Sequence, residues 1–287
     1  MRNKIYPFLC LALAVLFLWG CSNAAIAPAP TVETTLATQA PTTMATQPPT
    51  TAPTEPVPPL NPYGPEDFQL DEGGYMTCTV APCRLGIDVS YVQGHIDWQQ
   101  VKSAGIEFAM IRIAGRGWGD AGSLYYDDYW QQNYDGAKAA GLDVGCYFFS
   151  QAITEEEAVE EAAYLLAQLE ERPMDMPVVY DWEYIDPLQI HDIPRTFMLS
   201  KRTLTECTKA FCETIADAGY EPMIYFNEKQ SHRQMYLKEL TDYKFWLAKY
   251  DTTLDYPYRV HMWQYTCEGT VPGISGHVDL NLYFPEA

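Results

Sequence analysis

The feature that most constrains the fold is a series of eight short apolar segments, the first five of which are each followed by a helical pattern. The strand candidates occupy residues 84–90, 106–114, 143–150, 177–183, 222–227, 245–250, 260–266 and 278–283. The helix candidates occupy residues 97–104, 127–140, 154–172, 200–218 and 228–240. Alternating strands and helices are typical of parallel βαβ units, but the last two links, of about ten residues, are too short for a helical crossover. The sequence therefore predicts an α/β fold, a modified TIM-type barrel of eight strands and about five helices, with hairpin-like links between the last strands.

The fourth strand candidate ends in two carboxylates, Asp181 and Glu183, which are separated by Trp182. Because side chains alternate along a strand, the two acids share one face, with their Cα atoms roughly 6.6 Å apart. At that separation an ionised carboxylate raises the pKa of its neighbour, so one acid stays charged while the other keeps a proton. This division suits the cleavage of an acetal. The alternative is a solvated strand end beside a helix cap.

Other acids are predicted to join this pair, because parallel barrels carry their sites at the C-terminal ends of their strands. Asp88 ends the first strand candidate, and Asp279 lies in the eighth, which neighbours the first once the barrel closes. We therefore predict four carboxylates at one rim. Side chains in comparable positions are expected to contact sugar rings, since aromatic faces over a polar floor suit them. These are Tyr147, Tyr225, Trp246, Trp263 and Gln264.

The N-terminus has the plan of an export signal. Arg2 and Lys4 precede an apolar stretch from Ile5 to Trp19 that is too short to span a bilayer as a helix. The small residue before Cys21 resembles the end of a bacterial lipoprotein signal, in which the cysteine is lipidated. The alternative is a cleaved secretory signal.

The segment after the signal differs in composition from the rest of the chain. Residues 22–65 are rich in threonine and proline, which predicts a disordered stalk, and residues 66–83 form a transition to a domain at 84–287. We expect this domain on the extracellular face of the bacterial cytoplasmic membrane, held there by the N-terminal lipid alone, or secreted if Cys21 is not lipidated.

The net charge and the cysteine spacing argue against some classes of binding partner. A net charge of −20 argues against nucleic acid, because nothing basic is clustered to neutralise phosphates. No cofactor or metal is expected, since the cysteines lack zinc-ligand spacing, and we expect a monomer. Outside the signal, six cysteines leave their pairing open: Cys78, Cys83, Cys146, Cys207, Cys212 and Cys267.

Taken in order, the motifs resemble glycoside hydrolase family 25, the muramidases often called Chalaropsis-type lysozymes. The resemblance covers about 85–284. It is carried by Gly86-Ile87-Asp88-Val89-Ser90, Ile96-Asp97-Trp98, Asp181-Trp182-Glu183, Ile224-Tyr225, Trp263-Gln264-Tyr265 and Val278-Asp279-Leu280-Asn281. It implies a barrel and hydrolysis of the β-1,4 bond from N-acetylmuramic acid to N-acetylglucosamine in peptidoglycan.

The resemblance also implies roles for the acids. Glu183 would be the general acid, and Asp181 an ionised partner that stabilises positive charge or orients the acetamido group of the substrate. Asp88 and Asp279 would be supporting acids. Many members carry a lysine and a Glu-Gly pair at the end of strand two, where this chain has Arg112 to Gly117. Arg112 is therefore expected to make a substrate contact of its own.

Two other functions remain open at this point. One is hydrolysis of another N-acetylated glycan such as chitin. It is disfavoured because the segment before Asp181 lacks the longer series of acidic residues expected of a chitinase. The other is a lipoprotein that binds wall glycan without cutting it, which has no need of a proton donor. The choice among retaining, inverting and substrate-assisted mechanisms stays open.

Overall fold

The computed structural model describes residues 58–285. Its strands are β1 (Phe68–Leu70), β2 (Met76–Cys78), β3 (Arg84–Val89), β4 (Phe108–Arg116), β5 (Leu124–Tyr126), β6 (Asp143–Ser150), β7 (Val178–Trp182), β8 (Pro222–Asn227), β9 (Lys244–Ala248), β10 (Met262–Gly269) and β11 (Val278–Tyr283). Its α-helices are α1 (Trp98–Ser103), α2 (Trp130–Ala139), α3 (Glu155–Leu169), α4 (Pro187–Ile190), α5 (Lys201–Asp217) and α6 (Glu228–Arg233).

Eight of these strands close into a barrel. The order is β3-β11-β10-β9-β8-β7-β6-β4, and β3 pairs with β4 to complete the ring. All neighbours in the ring are parallel except β11, which is antiparallel to both β10 and β3. The predicted α/β barrel of eight strands is confirmed, and the last two strands form a hairpin. The link from β9 to β10 joins parallel strands instead, and α4 is a short helix beyond the five predicted.

The barrel interior changes from apolar to polar along each strand. Apolar side chains fill its lower part: Phe108, Met110, Met176, Val179, Met223, Met262 and Tyr283. Two residues further along the same strands lie Arg112 after Met110, Asp181 after Val179, and Gln264 after Met262. Because inward positions recur every second residue, these polar groups also point inward, one layer above the apolar packing. The apolar packing of the lower barrel therefore supports a polar layer at the rim above it.

One glycine shows how tightly this floor is packed. A Cβ on Gly86 of β3 would lie only 2.3 Å from the ring of Phe108. Only glycine leaves room for that ring, which in turn supports the layer below Asp88.

Helix caps follow the sequence signals. The side chains of Asp97 and Ser200 accept backbone N–H groups at the N-termini of α1 and α5. Thr154 caps α3 by accepting the N–H of Glu157. The Glu157 carboxylate does not return a bond to Thr154; it accepts the N–H of Ile153 and pairs with Arg195.

The segment ahead of the barrel is a small antiparallel hairpin of β1 and β2. Phe68 packs its ring 5.1 Å from that of Trp263, and the N–H of Met76 donates to the Tyr265 hydroxyl. Trp263 is fully buried, and its indole N–H donates to the Lys249 carbonyl. The prediction that Trp263 contacts sugar is therefore wrong: it alternates with the inward Gln264 and lies on the outer surface of the barrel, under this hairpin.

The predicted signal, the lipidation site at Cys21 and most of the stalk lie outside the described residues. Between residues 58 and 285, no helix is long and apolar enough to cross a membrane.

Candidate active site

Three strands bring the four predicted carboxylates to one rim of the barrel. Asp88 lies near the end of β3, and Asp181 and Glu183 lie at the end of β7. Asp279 lies at the start of β11, directly opposite Asp88 in the ladder. Because β11 alone runs antiparallel, its first residues lie at the rim where the other strands end. The reversal of this strand therefore explains why one acid precedes its strand core while the others follow theirs.

Glu183 has a raised pKa of about 7. Burial is the main cause, the charge of Asp88 adds to it, and Arg112 opposes it. The side chain is nevertheless exposed along the open side of the rim, so water moderates the rise. The direction is that required of a group that keeps its proton near neutral pH.

Asp181 and Asp279 are also shifted toward their neutral forms. Asp181 is only 5% exposed, and its pKa is raised well above the usual range by burial, then by the charges of Glu183 and Asp88. Its Oδ1 atom has no hydrogen-bond partner among residues 58–285. The pKa of Asp279 is raised to about 9, by burial first and then by Asp88 and Glu183. The four acids thus repel one another, and not all of them can be ionised together.

Asp88 differs from the other acids in its hydrogen bonds. One oxygen, Oδ2, accepts Nε2–H of Gln264 and Nδ2–H of Asn281, each at 2.8 Å. Burial raises the pKa of Asp88 to about 6, while these two amides lower it. The side-chain oxygen of Asn281 accepts the indole N–H of Trp246 at 2.8 Å, and that of Gln264 accepts the Tyr225 hydroxyl at 3.0 Å.

Apart from Trp263, the residues predicted to contact sugar divide into two groups. Tyr225, Trp246 and Gln264 are buried and hold Asp88 in place, whereas Tyr147 is half-buried beside Arg112 in the β4–β6 ladder. Asn281 belongs to the same network as Gln264. It stands in the Val278 to Asn281 motif, and its inward spacing from Asp279 could have marked it as a site residue.

Arg112 is fixed at the rim by a buried acid. Its Nε–H donates to Asp127 Oδ2 at 2.8 Å, and that oxygen also accepts the N–H of Tyr91. The guanidinium carbon lies 4.8 Å from the ring centre of Tyr91 and 5.8 Å from that of Tyr125. Sequence reasoning missed these three partners, because their segments carry no periodic pattern that points to the rim. Together they aim a positive charge toward the β7 acids.

The backbone at the tip of β7 is held by two buried glutamines. Gln230 of α6 donates to the Trp182 carbonyl at 2.8 Å, and Gln151, just after β6, donates to the Glu183 carbonyl at 3.2 Å. The Thr196 hydroxyl donates to Gln151 Oε1 at 2.9 Å and so fixes that amide. The Glu183 main chain is therefore anchored from both sides, as a site that must hold a proton donor in one geometry requires.

The family of the chain follows from its sequence read with this geometry. Residues 87–274 match the family described as Glycosyl hydrolases family 25. The chain belongs to this family. The matched range of the family 25 domain includes Asp88, Asp181 and Glu183, whereas Asp279 lies beyond it and is placed by the pairing of β11 with β3.

Several known proteins are similar to this family 25 chain. It is 26% identical over 199 residues to the autolytic lysozyme of Clostridium acetobutylicum, a match that covers 68% of this chain and 54% of that protein. The crystal structure of a bacterial lysozyme from Streptomyces coelicolor superposes with a TM-score of 0.55 at 27% identity, over 71% of this chain and 93% of that one. The autolysin LytC of Streptococcus pneumoniae shares the fold, with a TM-score of 0.61 at 21% identity, over 76% of this chain and 50% of that one. The chain therefore spans little more than half the length of the clostridial relative.

Proposed function

We propose that this family 25 protein is a muramidase, which hydrolyses the β-1,4 bond from N-acetylmuramic acid to N-acetylglucosamine in peptidoglycan. The observation that carries the proposal is the convergence of four carboxylates at one rim, where burial raises the pKa of Glu183 to about 7. An acid that keeps its proton near neutral pH can protonate a glycosidic oxygen, and negative charge beside it stabilises an oxocarbenium-like transition state.

The residues divide the work as follows. Glu183 donates its proton to the leaving oxygen as the glycosidic bond breaks, and water then adds to the anomeric carbon and returns a proton to the rim. Asp181, whose Oδ1 has no partner in the described part of the chain, is left to act on the acetamido group or the anomeric carbon of the sugar whose bond is cleaved. Asp88 supplies negative charge that stabilises the oxocarbenium-like transition state. Arg112, framed by Tyr91 and Tyr125, supports substrate binding from β4, two strands away from the acids of β7.

Purified peptidoglycan and chitin, digested side by side, test the substrate class. We expect new reducing ends from peptidoglycan and few from chitin. After borohydride reduction, mass spectrometry should find the reduced sugar to be muramic acid, because the bond is cut on that side. Reduced glucosamine at the new ends, or faster digestion of chitin, would contradict the proposal. Proton NMR of the first product formed would give the anomer and so separate retention from inversion.

We propose that the enzyme works at the outer face of the cytoplasmic membrane, attached through a lipid on Cys21. The support is the sequence pattern around that cysteine and the threonine- and proline-rich segment that follows it. Such a segment reaches roughly 3.1 Å per residue when extended, which would allow the domain to reach the wall.

Cys21→Ala tests this attachment. The wild-type chain, expressed in a bacterium with a lipoprotein pathway, should enter the detergent phase on Triton X-114 partitioning and incorporate labelled palmitate. The variant should do neither, because the acyl chains supply the membrane affinity. Cys10→Ala is the matched control within the same segment and should behave like wild type. Equal partitioning of Cys21→Ala and wild type would refute the attachment.

A further inference from the structure

We propose that Gln264 and Asn281 are positioning residues that hold Asp88, rather than Asp181, as the charged acid of the rim beside the proton donor Glu183. The inference rests on the proposed function and adds an assignment of charge among its four acids. It differs from the sequence-based expectation, in which Asp181 is the ionised partner.

The first support is the number of donors on each acid. Asp88 Oδ2 accepts two amide N–H groups at 2.8 Å. Two donors converging on one oxygen favour a carboxylate over a protonated acid. Asp181 has an oxygen without a partner in the described chain, and the hydrogen bond that favours the charged form of Asp279 comes from its own backbone. Among acids that repel one another, the one with the most donors keeps its charge.

The second support is that both amides are held at their far ends, and that the Asn281 amide cannot turn over. An indole N–H only donates, so the Asn281 oxygen must face Trp246 and its NH₂ group must face Asp88. The Gln264 oxygen accepts hydroxyls from both Tyr225 and Tyr250, at 3.0 and 3.2 Å. Asn281 is fully buried and Gln264 is 3% exposed, so water cannot replace these bonds. The donors to Asp88 are therefore fixed before any substrate arrives.

The third support is the set of groups around Asp88. Its charge raises the pKa of Glu183, second only to burial. Arg112 is the nearby cation and acts on Asp181 and Glu183 in the opposite sense. The titratable groups that face Asp88 from the neighbouring strands and the segments after them are Asp279, Asp181, Glu183, Tyr147, Tyr225 and Tyr250.

The sign of the expected change follows from these contacts. Removing an amide donor raises the pKa of Asp88, because its charged form loses a hydrogen bond. Activity requires Asp88 charged and Glu183 protonated. The acid limb of the pH profile, where Asp88 gains its charge, should therefore move up. On the basic limb Asp88 is already charged, so Glu183 titrates beside the same neighbour and that limb should stay near its wild-type pH. The optimum should narrow from the acid side.

Gln264→Met and Asn281→Leu test this with kcat/KM measured across pH on a soluble peptidoglycan fragment. We expect the acid limb to move up by about half a pH unit to one unit and the basic limb to stay in place. Gln230→Met is the matched control: the same substitution removes a buried amide that holds the Trp182 carbonyl and not Asp88. It should lower kcat and leave both limbs in place. An acid limb that stays at wild-type pH in both test variants, or that moves equally in Gln230→Met, would overturn the inference.

A second measurement decides the matter even if these variants fold poorly. Trp246→Phe removes the indole N–H that orients Asn281, so it should move the acid limb in the same direction by less. Carbon-13 NMR of the Asp88 carboxyl, assigned by its loss in Asp88→Asn, should show it titrating below the other three acids in the wild-type protein. Titration of Asp181 below Asp88 would refute the assignment even if peptidoglycan is cleaved. Failure to cleave any peptidoglycan would refute the proposed function and leave this titration order to be judged separately.

Discussion

Glu183→Gln should abolish nearly all cleavage of purified peptidoglycan, lowering kcat about a hundredfold to ten-thousandfold. Glutamine keeps the shape of the side chain but has no proton to give to the leaving oxygen. The loss should fall on kcat more than on KM, because proton donation matters only in the transition state. Release of reducing sugar from wall, followed at several substrate concentrations, separates the two constants.

The control for this variant is Glu268→Gln, which makes the same change at an exposed glutamate at the end of β10. It should retain wild-type activity. Thermal unfolding at pH 8 should show Glu183→Gln to be no less stable than wild type. Because the folded protein raises the Glu183 pKa to about 7, ionisation above that pH costs stability, and a neutral side chain avoids this cost. Turnover retained in Glu183→Gln would refute its role as the general acid.

The pattern of strands was readable because each barrel strand is a short apolar run with a clear boundary. The predicted ranges at 143–150 and 222–227 agree with β6 and β8 residue for residue. The short links predicted hairpins among the last strands, and β10 and β11 form one, but the sequence could not show that β9 and β10 stay parallel, which makes β11 the one reversed strand of the ring. That direction places Asp279 opposite Asp88, and therefore decides how a fourth acid reaches the rim.

The candidate site was only partly readable, for a related reason. Acids at strand ends stand out, because a charge at the end of an apolar run is conspicuous. The residues that set the state of those acids are amides and aromatics, which are equally common in any core. Trp246 and Trp263 are both buried, and only the register decides that one holds Asn281 while the other packs under the β1–β2 hairpin. The reacting acids can be found from local sequence, whereas the residues that set their protonation states are brought to them by the pairing of distant strands.

A buried acid outside the site leads to the second large prediction. Glu161 of α3 is fully buried and accepts Arg116 Nε–H at 2.8 Å and the Ser150 hydroxyl at 2.6 Å. The Arg116 side chain is 5% exposed and also donates to the Gly122 carbonyl. This cluster ties the ends of β4 and β6 to α3, next to Gln151, which holds the Glu183 carbonyl. This cluster could not be predicted from the sequence, because a glutamate on an acidic helix has the pattern of a solvated residue.

Arg116→Ala should lower the free energy of unfolding by about 3–5 kcal/mol at pH 8, because it leaves a buried carboxylate without its charged partner. Urea denaturation followed by circular dichroism measures the loss. Lys138→Ala removes one partner of the half-buried pair with Asp175 and should cost about 0–1 kcal/mol, since water already screens that pair.

The loss of stability in Arg116→Ala should also depend on pH. In the folded protein burial raises the Glu161 pKa to about 7 from an ordinary 4.5. The neutral carboxyl therefore contributes to the free energy of unfolding below pH 4.5, and this contribution is lost as the pH rises from 4.5 to 7. Removing Arg116 raises the folded pKa further, because the ionised form loses its nearest positive charge. The variant should therefore lose less stability at pH 5, where Glu161 can take up a proton, than at pH 8. Adding Glu161→Gln to Arg116→Ala should restore part of the stability at pH 8, because the buried group is then neutral. An equal loss at both pH values, with no recovery in the double variant, would show that Arg116 acts through packing and not through the charge of Glu161.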